Sequence, residues 1–157
     1  MEESGDNCGF VAEGAGASIV LKNCTSAYNY GSGIEDAGTG VSSITNCISF
    51  GNNTGSNVNP KDVVTDGTAF TATYNCFVTY SGFVPAASNV LSDPLFVSAT
   101  DFRLKPKSPC VDSGVYIATL AGTLDIYDKL FPAATDEFNI GASQQDPGSG
   151  KRFLVID

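Results

Sequence analysis

Three short segments of this chain carry the same dipeptide in similar surroundings. They are LKNCTSAYN from Leu21, ITNCISFGN from Ile44 and TYNCFVTYS from Thr73. Their cysteines, Cys24, Cys47 and Cys76, lie 23 and then 29 residues apart. The first two copies also match Leu21 with Ile44, Ser26 with Ser49 and Asn29 with Asn52. Upstream, GFVAEG from Gly9 precedes GIEDAG from Gly33 by 24 residues, which adds a partial copy. The copies alternate apolar with polar residues and are joined by Gly, Asn and Ser, with no helical period. A unit this short cannot bury its own apolar face, whereas stacked units share a continuous core. The repeat therefore predicts an all-β coil, with equivalent residues stacked at the strand spacing of about 4.8 Å.

Stacking at that spacing predicts what the repeated residues do. Asn23, Asn46 and Asn75 are expected to form an amide ladder at a bend, where Asn tolerates left-handed backbone geometry. Cys24, Cys47 and Cys76 are expected to form one inward line of thiols. Parallel side chains suit a disulfide poorly, so these cysteines are read as reduced, small hydrophobes with raised pKa values. Cys8, near the start of the coil, is expected to be the most reactive of the five. The sequon Asn23-Cys24-Thr25 falls within this stack, and Asn52-Asn53-Thr54 is the more exposed match. Neither is expected to carry a glycan.

The C-terminal half contains SDPLFVSATDFRLKPKSPCVDSG from Ser92, followed by FNIGAS from Phe138. With the Asn-Cys units, this resembles the right-handed parallel β-helix proteins of the pectate-lyase-like superfamily. The likeness is to the closing segment of the choice-of-anchor Q group and of family 9 pectate lyases. In that pattern Thr100 stands where the family has Gly, Cys110 where it has Ala, and Asn139 where it has Asp. The resemblance, with the strand-crossover rule, implies a short right-handed parallel β-helix, a solenoid of about four to six rungs from Gly9 to about Ser143, with an irregular C-terminal closing segment. We read residues 1–157 as one domain: Asn-Cys rungs over 9–83, closing rungs and segment over 84–143, and a tail strand over 144–157 that includes KRFLVID. The resemblance also implies the last rungs of a longer coil without its N-terminal cap. A bare first rung exposes unpaired backbone, so self-association, or cover from Phe153–Ile156, is expected.

Charge and composition remove several functions. Lys and Arg number 8 against 17 Asp and Glu, a net charge of −9, which disfavours nucleic acid and anionic membranes as partners. Histidine is absent, which excludes Ser-His-Asp and Cys-His catalysis and His-bearing zinc sites. Polygalacturonase-type hydrolysis is disfavoured on the same ground, since that family pattern needs a Gly-His-Gly segment and an Asp-Asp pair. The first ten residues have neither a basic nor an apolar stretch of a signal peptide. The resemblance implies an extracellular or cell-surface location, while reduced cysteines are also compatible with a cytoplasmic one.

The remaining candidates are acidic. Glu35 and Asp36 follow the first full repeat, and NVNPKDVVTDG, from Asn57 to Gly67, accounts for the longer second step and carries Lys61, Asp62 and Asp66. Insertions in solenoids cluster on one face, often the binding face. Glu35, Asp36, Asp62 and Asp66 are therefore candidate calcium ligands, and with Lys61 a candidate polysaccharide site. Lys61 is the one candidate catalytic base, by analogy with the Lys or Arg of pectate lyases. The alternative reading of the same residues is a solvated turn of an acidic protein. Tyr28, Tyr30, Phe50, Tyr74, Phe77, Tyr80 and Phe83 are read as core or rim aromatics, with sugar stacking as the other use. Asp93, Asp101, Arg103 and Asp112 are assigned turn and ion-pair roles, and Asp125 and Asp128 flank Tyr127 as a weak cation candidate. Two functions stand: a non-catalytic module, structural or carbohydrate-contacting, and a small calcium-dependent lyase or depolymerase acting on acidic polysaccharide.

Overall fold

The computed structural model describes residues 8–54, 61–66, 69–132 and 138–144. Eleven strands and no helix occur among them. The chain visits three parallel sheets in the same order on successive passages. The first passage gives β1 (Phe10–Gly14), β2 (Val20–Lys22) and β3 (Thr25–Ala27). The second gives β4 (Ile34–Gly38), β5 (Ser42–Thr45) and β6 (Ile48–Phe50). The third gives β7 (Val63–Thr65) and β8 (Phe70–Thr73), then a bridge of Cys76 to Ile48, and β9 (Tyr80–Ser81) returns to the first sheet. The sheets run β1-β4-β7-β9, β2-β5-β8 and β3-β6, and β10 (Phe96–Ser98) with β11 (Asp101–Leu104) forms a separate antiparallel pair.

Strand alternation sorts the side chains. Ile34, Asp36 and Gly38 of β4 are buried while Glu35 and Ala37 are half-buried on the outer face. Ala12, Ile19, Ile34, Ile44, Cys47, Val63, Ala72 and Phe77 make the interior of the coil. Just before β1 and β4 of the first sheet stands a glycine for a steric reason. A methyl on Gly33 would run into Ser49 Oγ and come within 2.8 Å of the Asp62 carbonyl. Gly9 meets Ser26 Oγ and the Gly33 carbonyl in the same way.

The register corrects the expected ladder. Lys22 pairs with Thr45 and Thr25 with Ile48, so Asn23 and Cys24 lie opposite Asn46 and Cys47, a step of 23. Thr45 pairs with Thr73 and Ile48 with Cys76, a step of 28 rather than 29. Tyr74 therefore lies opposite Asn46, Asn75 opposite Cys47, and Cys76 opposite Ile48. The backbone agrees: Asn23, Asn46 and Tyr74 have φ of 47°, 54° and 56°, and Asn75 is not among the left-handed residues. The slip arises in one corner. Ile34 and Thr45 are 11 residues apart, but their partners Val63 and Thr73 are 10 apart. The extra residues lie between β6 and β7; Asp62 ends that stretch and leads directly into β7, its carbonyl accepting from Ile34 N–H, while Val63, Val64 and Thr65 of the expected insertion are in the sheet.

The C-terminal segment packs along the flank of the coil. Asn75 donates from its backbone N–H to Asn89 Oδ1, and Val90 bridges Cys76 in one abbreviated further passage. Beyond it, Ile48, Cys76, Phe96, Leu104, Cys110 and Ile140 form a second core on the outer side of β6. Gly141 N–H donates to the Asn46 carbonyl at 2.7 Å and Ala142 N–H to Thr25 Oγ1 at 3.0 Å, reaching back to the first passage. Of the tail strand expected over 144–157, only Gln144 is among the described residues; the rest, including Phe153–Ile156, lies outside them.

Candidate functional site

The paired asparagines of the first two passages fasten this flank. Asn46 Nδ2 donates to Asn23 Oδ1 at 3.1 Å and to the Val115 carbonyl at 2.6 Å, while Val115 N–H donates to Asn46 Oδ1 at 2.8 Å. Asn23 Nδ2 donates to the carbonyls of Asn139 and Gly141. Asn75 works elsewhere: its Oδ1 accepts from Cys47 N–H at 2.8 Å, and its Nδ2 donates to the Ile44 carbonyl and to Asn89 Oδ1. The expected three-membered Asn ladder is thus two members long, with Asn75 serving a neighbouring position.

A second polar stack runs through the next bend. Asn29 donates through N–H and Nδ2 to Asn52 Oδ1, and Asn52 donates through N–H and Nδ2 to Asp62 Oδ1. Asp62 Oδ2 accepts the N–H groups of Val78 and Thr79, each at 3.0 Å. Ser26 and Ser49 flank the stack and donate to the carbonyls of Gly33 and Asp62. The sequence shows Asn29 and Asn52 by their spacing, but Asp62 follows Asn52 by only ten residues and differs in type, so its membership is hidden.

That stack decides where the acidic candidates stand. Asp62 is 3 % exposed and both its oxygens are engaged, so it presents no free carboxylate to a ligand. Asp36 turns into the coil, 1 % exposed. Its Oδ1 accepts from Gly38 N–H, and its Oδ2 has no hydrogen-bond partner. Glu35 is on the outer face and accepts from the Cys8 thiol at 3.4 Å. Asp66 is exposed, its N–H donating to the Asp36 carbonyl, and Lys61 is half-buried, its carbonyl accepting from Gly33 N–H. Alternation along β4 thus sends Glu35 and Asp36 to opposite faces. Among the described residues no three carboxylates or thiols converge as a metal site.

The other candidates are held in structural contacts. Asp125 accepts from the N–H groups of Tyr127 and Lys129 on one oxygen and from Gln144 on the other. Asp93 caps the Leu95 N–H. Arg103 pairs with Asp101, and the guanidinium holds that carboxyl at a pKa of about 2. Tyr28 stacks on Phe102 with centroids 6.3 Å apart and meets Phe50 and Phe96 edge-on. Phe77, Tyr80 and Phe83 pack on one another. Tyr30 and Tyr74 are exposed. A shallow cavity of about 250 Å³ lies between Lys22 on the coil and Leu124, Ile126 and Phe131 on the flank.

None of the five cysteines is in a disulfide, and Cys24 neighbours Cys47 as Cys76 neighbours Cys110. The neighbouring Cys47 thiol outweighs the partial burial of Cys24 and lowers its pKa to about 7. Cys47 is pushed well above the ordinary thiol value by that same interaction and by burial. Cys76 is pushed up by its contact with Cys110 and by burial. The single line of thiols is corrected here: Cys47 belongs to the interior of the coil, Cys76 to the second core. The uniform rise in pKa fails at Cys24, where the neighbouring thiol stabilises the thiolate. When the chain is compared with family models, curated proteins and solved structures, none matches.

Proposed function

We propose that this chain is a short right-handed parallel β-helix, akin to the pectate-lyase-like proteins, and that it serves as a non-catalytic architectural module. The observation that carries this reading is the use of Asp62. This candidate for calcium or substrate spends both carboxylate oxygens on the N–H groups of Asn52, Val78 and Thr79 and on the Asn52 side chain. A carboxylate so engaged holds one passage to the next. Releasing it to a metal would leave buried donors unpaired, at about 1–3 kcal/mol each.

Binding, where it occurs, belongs to the outer surface. Val11, Glu35 and Val64 lie side by side on the outer face of the first sheet and offer a ridge for polysaccharide contact. Among the described residues β1, β2 and β3 each stand at the end of their sheet, and this edge would pair with a second copy. The competing activity, calcium-dependent cleavage of acidic polysaccharide with Lys61 as base, gives a direct test. The full chain is incubated with polygalacturonate or alginate, with and without calcium, and unsaturated product is followed by ultraviolet absorbance. The module reading expects no product. Turnover abolished by Lys61→Ala would overturn it.

A further inference from the structure

The two thiol pairs differ in access. Cys24 and Cys47 are stacked across adjacent passages by the register on either side of them, Lys22 with Thr45 and Thr25 with Ile48. Both thiols point the same way, each reaching the carbonyl two residues before it, Lys22 at 3.4 Å and Thr45 at 3.3 Å. Adjacent strands place their Cα atoms about 4.8 Å apart, inside the range of about 4.4–6.8 Å that a disulfide spans, so closing the bond requires the two parallel side chains to leave those carbonyls and turn toward each other. Cys47 is 1 % exposed, while Cys24 is half-buried and sits in the first passage, where β2 and β3 are the end strands of their sheets. Cys76 and Cys110, by contrast, are both 0 % exposed beneath the flank segment.

We propose that Cys24 and Cys47 form a peroxide-reactive dithiol in which Cys24 attacks and Cys47 resolves. The Cys24 thiolate attacks one oxygen of a hydroperoxide. An S–O bond forms, the O–O bond breaks, and the leaving oxygen departs with a proton as water or an alcohol. The Cys47 sulfur then attacks the Cys24 sulfenic acid, forming the S–S bond and breaking S–O, and the hydroxide leaves with the Cys47 proton as water. Two thiols lose two electrons and one peroxide gains them. The product staples the first passage to the second. Attack from Cys24 is favoured because its thiolate is the more accessible and the better stabilised of the two.

The test uses the full chain, reduced, desalted and treated with equimolar hydrogen peroxide near neutral pH. Remaining thiols are alkylated after denaturation and the digest is read by mass. The expected result is a Cys24–Cys47 cross-linked peptide, two hydrogens lighter than its reduced parts, with Cys76 and Cys110 recovered as alkylated thiols. In Cys47→Ser, a dimedone adduct should appear on Cys24, and circular dichroism of each variant verifies that the fold persists. A separate reading needs no variant. Native alkylation of Cys24 should rise about 10-fold from pH 6 to pH 8 and level off, whereas an unperturbed thiol near 9 rises about 100-fold. Oxidation that joins Cys24 to Cys8, or that leaves Cys47 a free thiol while Cys24 is oxidised further, would overturn the proposal. So would recovery of both Cys24 and Cys47 as thiols.

Discussion

Two contacts between successive passages can be compared within this one molecule. At the first, Asn23 meets Asn46, Cys24 meets Cys47, and Asn29 donates to Asn52. At the second, Tyr74 stands opposite Asn46, Cys76 opposite Ile48, and Asp62 takes the acceptor role below Asn52. Residue types change, yet the demands of the backbone are met at both. The bend before β3, before β6 and before the Cys76 bridge is left-handed in all three passages. The inner bend has a side-chain oxygen accepting from the passage above in both contacts. A stacked coil therefore imposes conformations and hydrogen-bonding positions. Identical side chains are one way of filling them.

The comparison can be broken most severely where a side chain is forbidden. Gly33→Ala sets a methyl against Ser49 Oγ and the Asp62 carbonyl, so backbone must move between the second and third passages. A loss of about 3 kcal/mol is expected from such overpacking. A urea midpoint equal to that of the parent would show that the passages are not seated this closely.

Next come the two buried aspartates, which separate structural use from mere burial. Asp62→Ala removes the acceptor for Asn52, Val78 and Thr79 and should cost about 2–3 kcal/mol. Asp36→Ala removes a carboxylate with one weak bond and one unpaired oxygen, and should leave stability unchanged or raised. Equal losses for the two would contradict the difference drawn between them.

A smaller effect sharpens the slip itself. Tyr74 holds a φ of 56° that Asn tolerates better, so Tyr74→Asn should stabilise by about 0.5–1 kcal/mol. Asn75→Gly should destabilise, since it removes bonds to Cys47, Ile44 and Asn89. Were Asn75 the left-handed ladder residue, the Gly variant would be tolerated and the Tyr74 change would bring nothing.

The smallest effect concerns pH on the flank. Arg103 holds the Asp101 carboxyl at about 2 against an ordinary 3.8. The folded form thus favours the ionised carboxylate. That contribution is present above about pH 4 and is lost as pH falls from 4 towards 2. The pair is exposed and screened by solvent and salt, so Asp101→Asn should change the acid limb of a stability profile only slightly. A large shift of the acid midpoint would place the pair in a more demanding role.

What the sequence discloses follows from what it repeats. The parallel strands and the match of Asn23 with Asn46 are legible because the 23-residue step keeps residue type and register together. The third passage is misread because the Asn-Cys dipeptide recurs one residue away from the stacked position. Six added residues before β7 conceal the corner that is one residue shorter. Asp62 is misread for a related reason: it fills a position whose earlier occupants are asparagines, so its charge suggests a ligand where the fold uses an acceptor. The pairing of Cys76 with Cys110 depends on the return of the flank segment, which local spacing does not encode.

The register of the third passage tests the account most directly. In the structure Cys76 N–H donates to the Cys47 carbonyl at 2.8 Å, as Ile48 N–H donates to the Cys24 carbonyl at 2.9 Å one passage earlier. Scalar coupling across hydrogen bonds, measured on labelled protein by nuclear magnetic resonance, connects each amide nitrogen to its acceptor carbon. The account predicts a cross-peak from the Cys76 nitrogen to the Cys47 carbonyl carbon. A cross-peak to that carbon from the Phe77 nitrogen instead would restore the 29-residue step, realign Cys47 with Cys76, and contradict the slip.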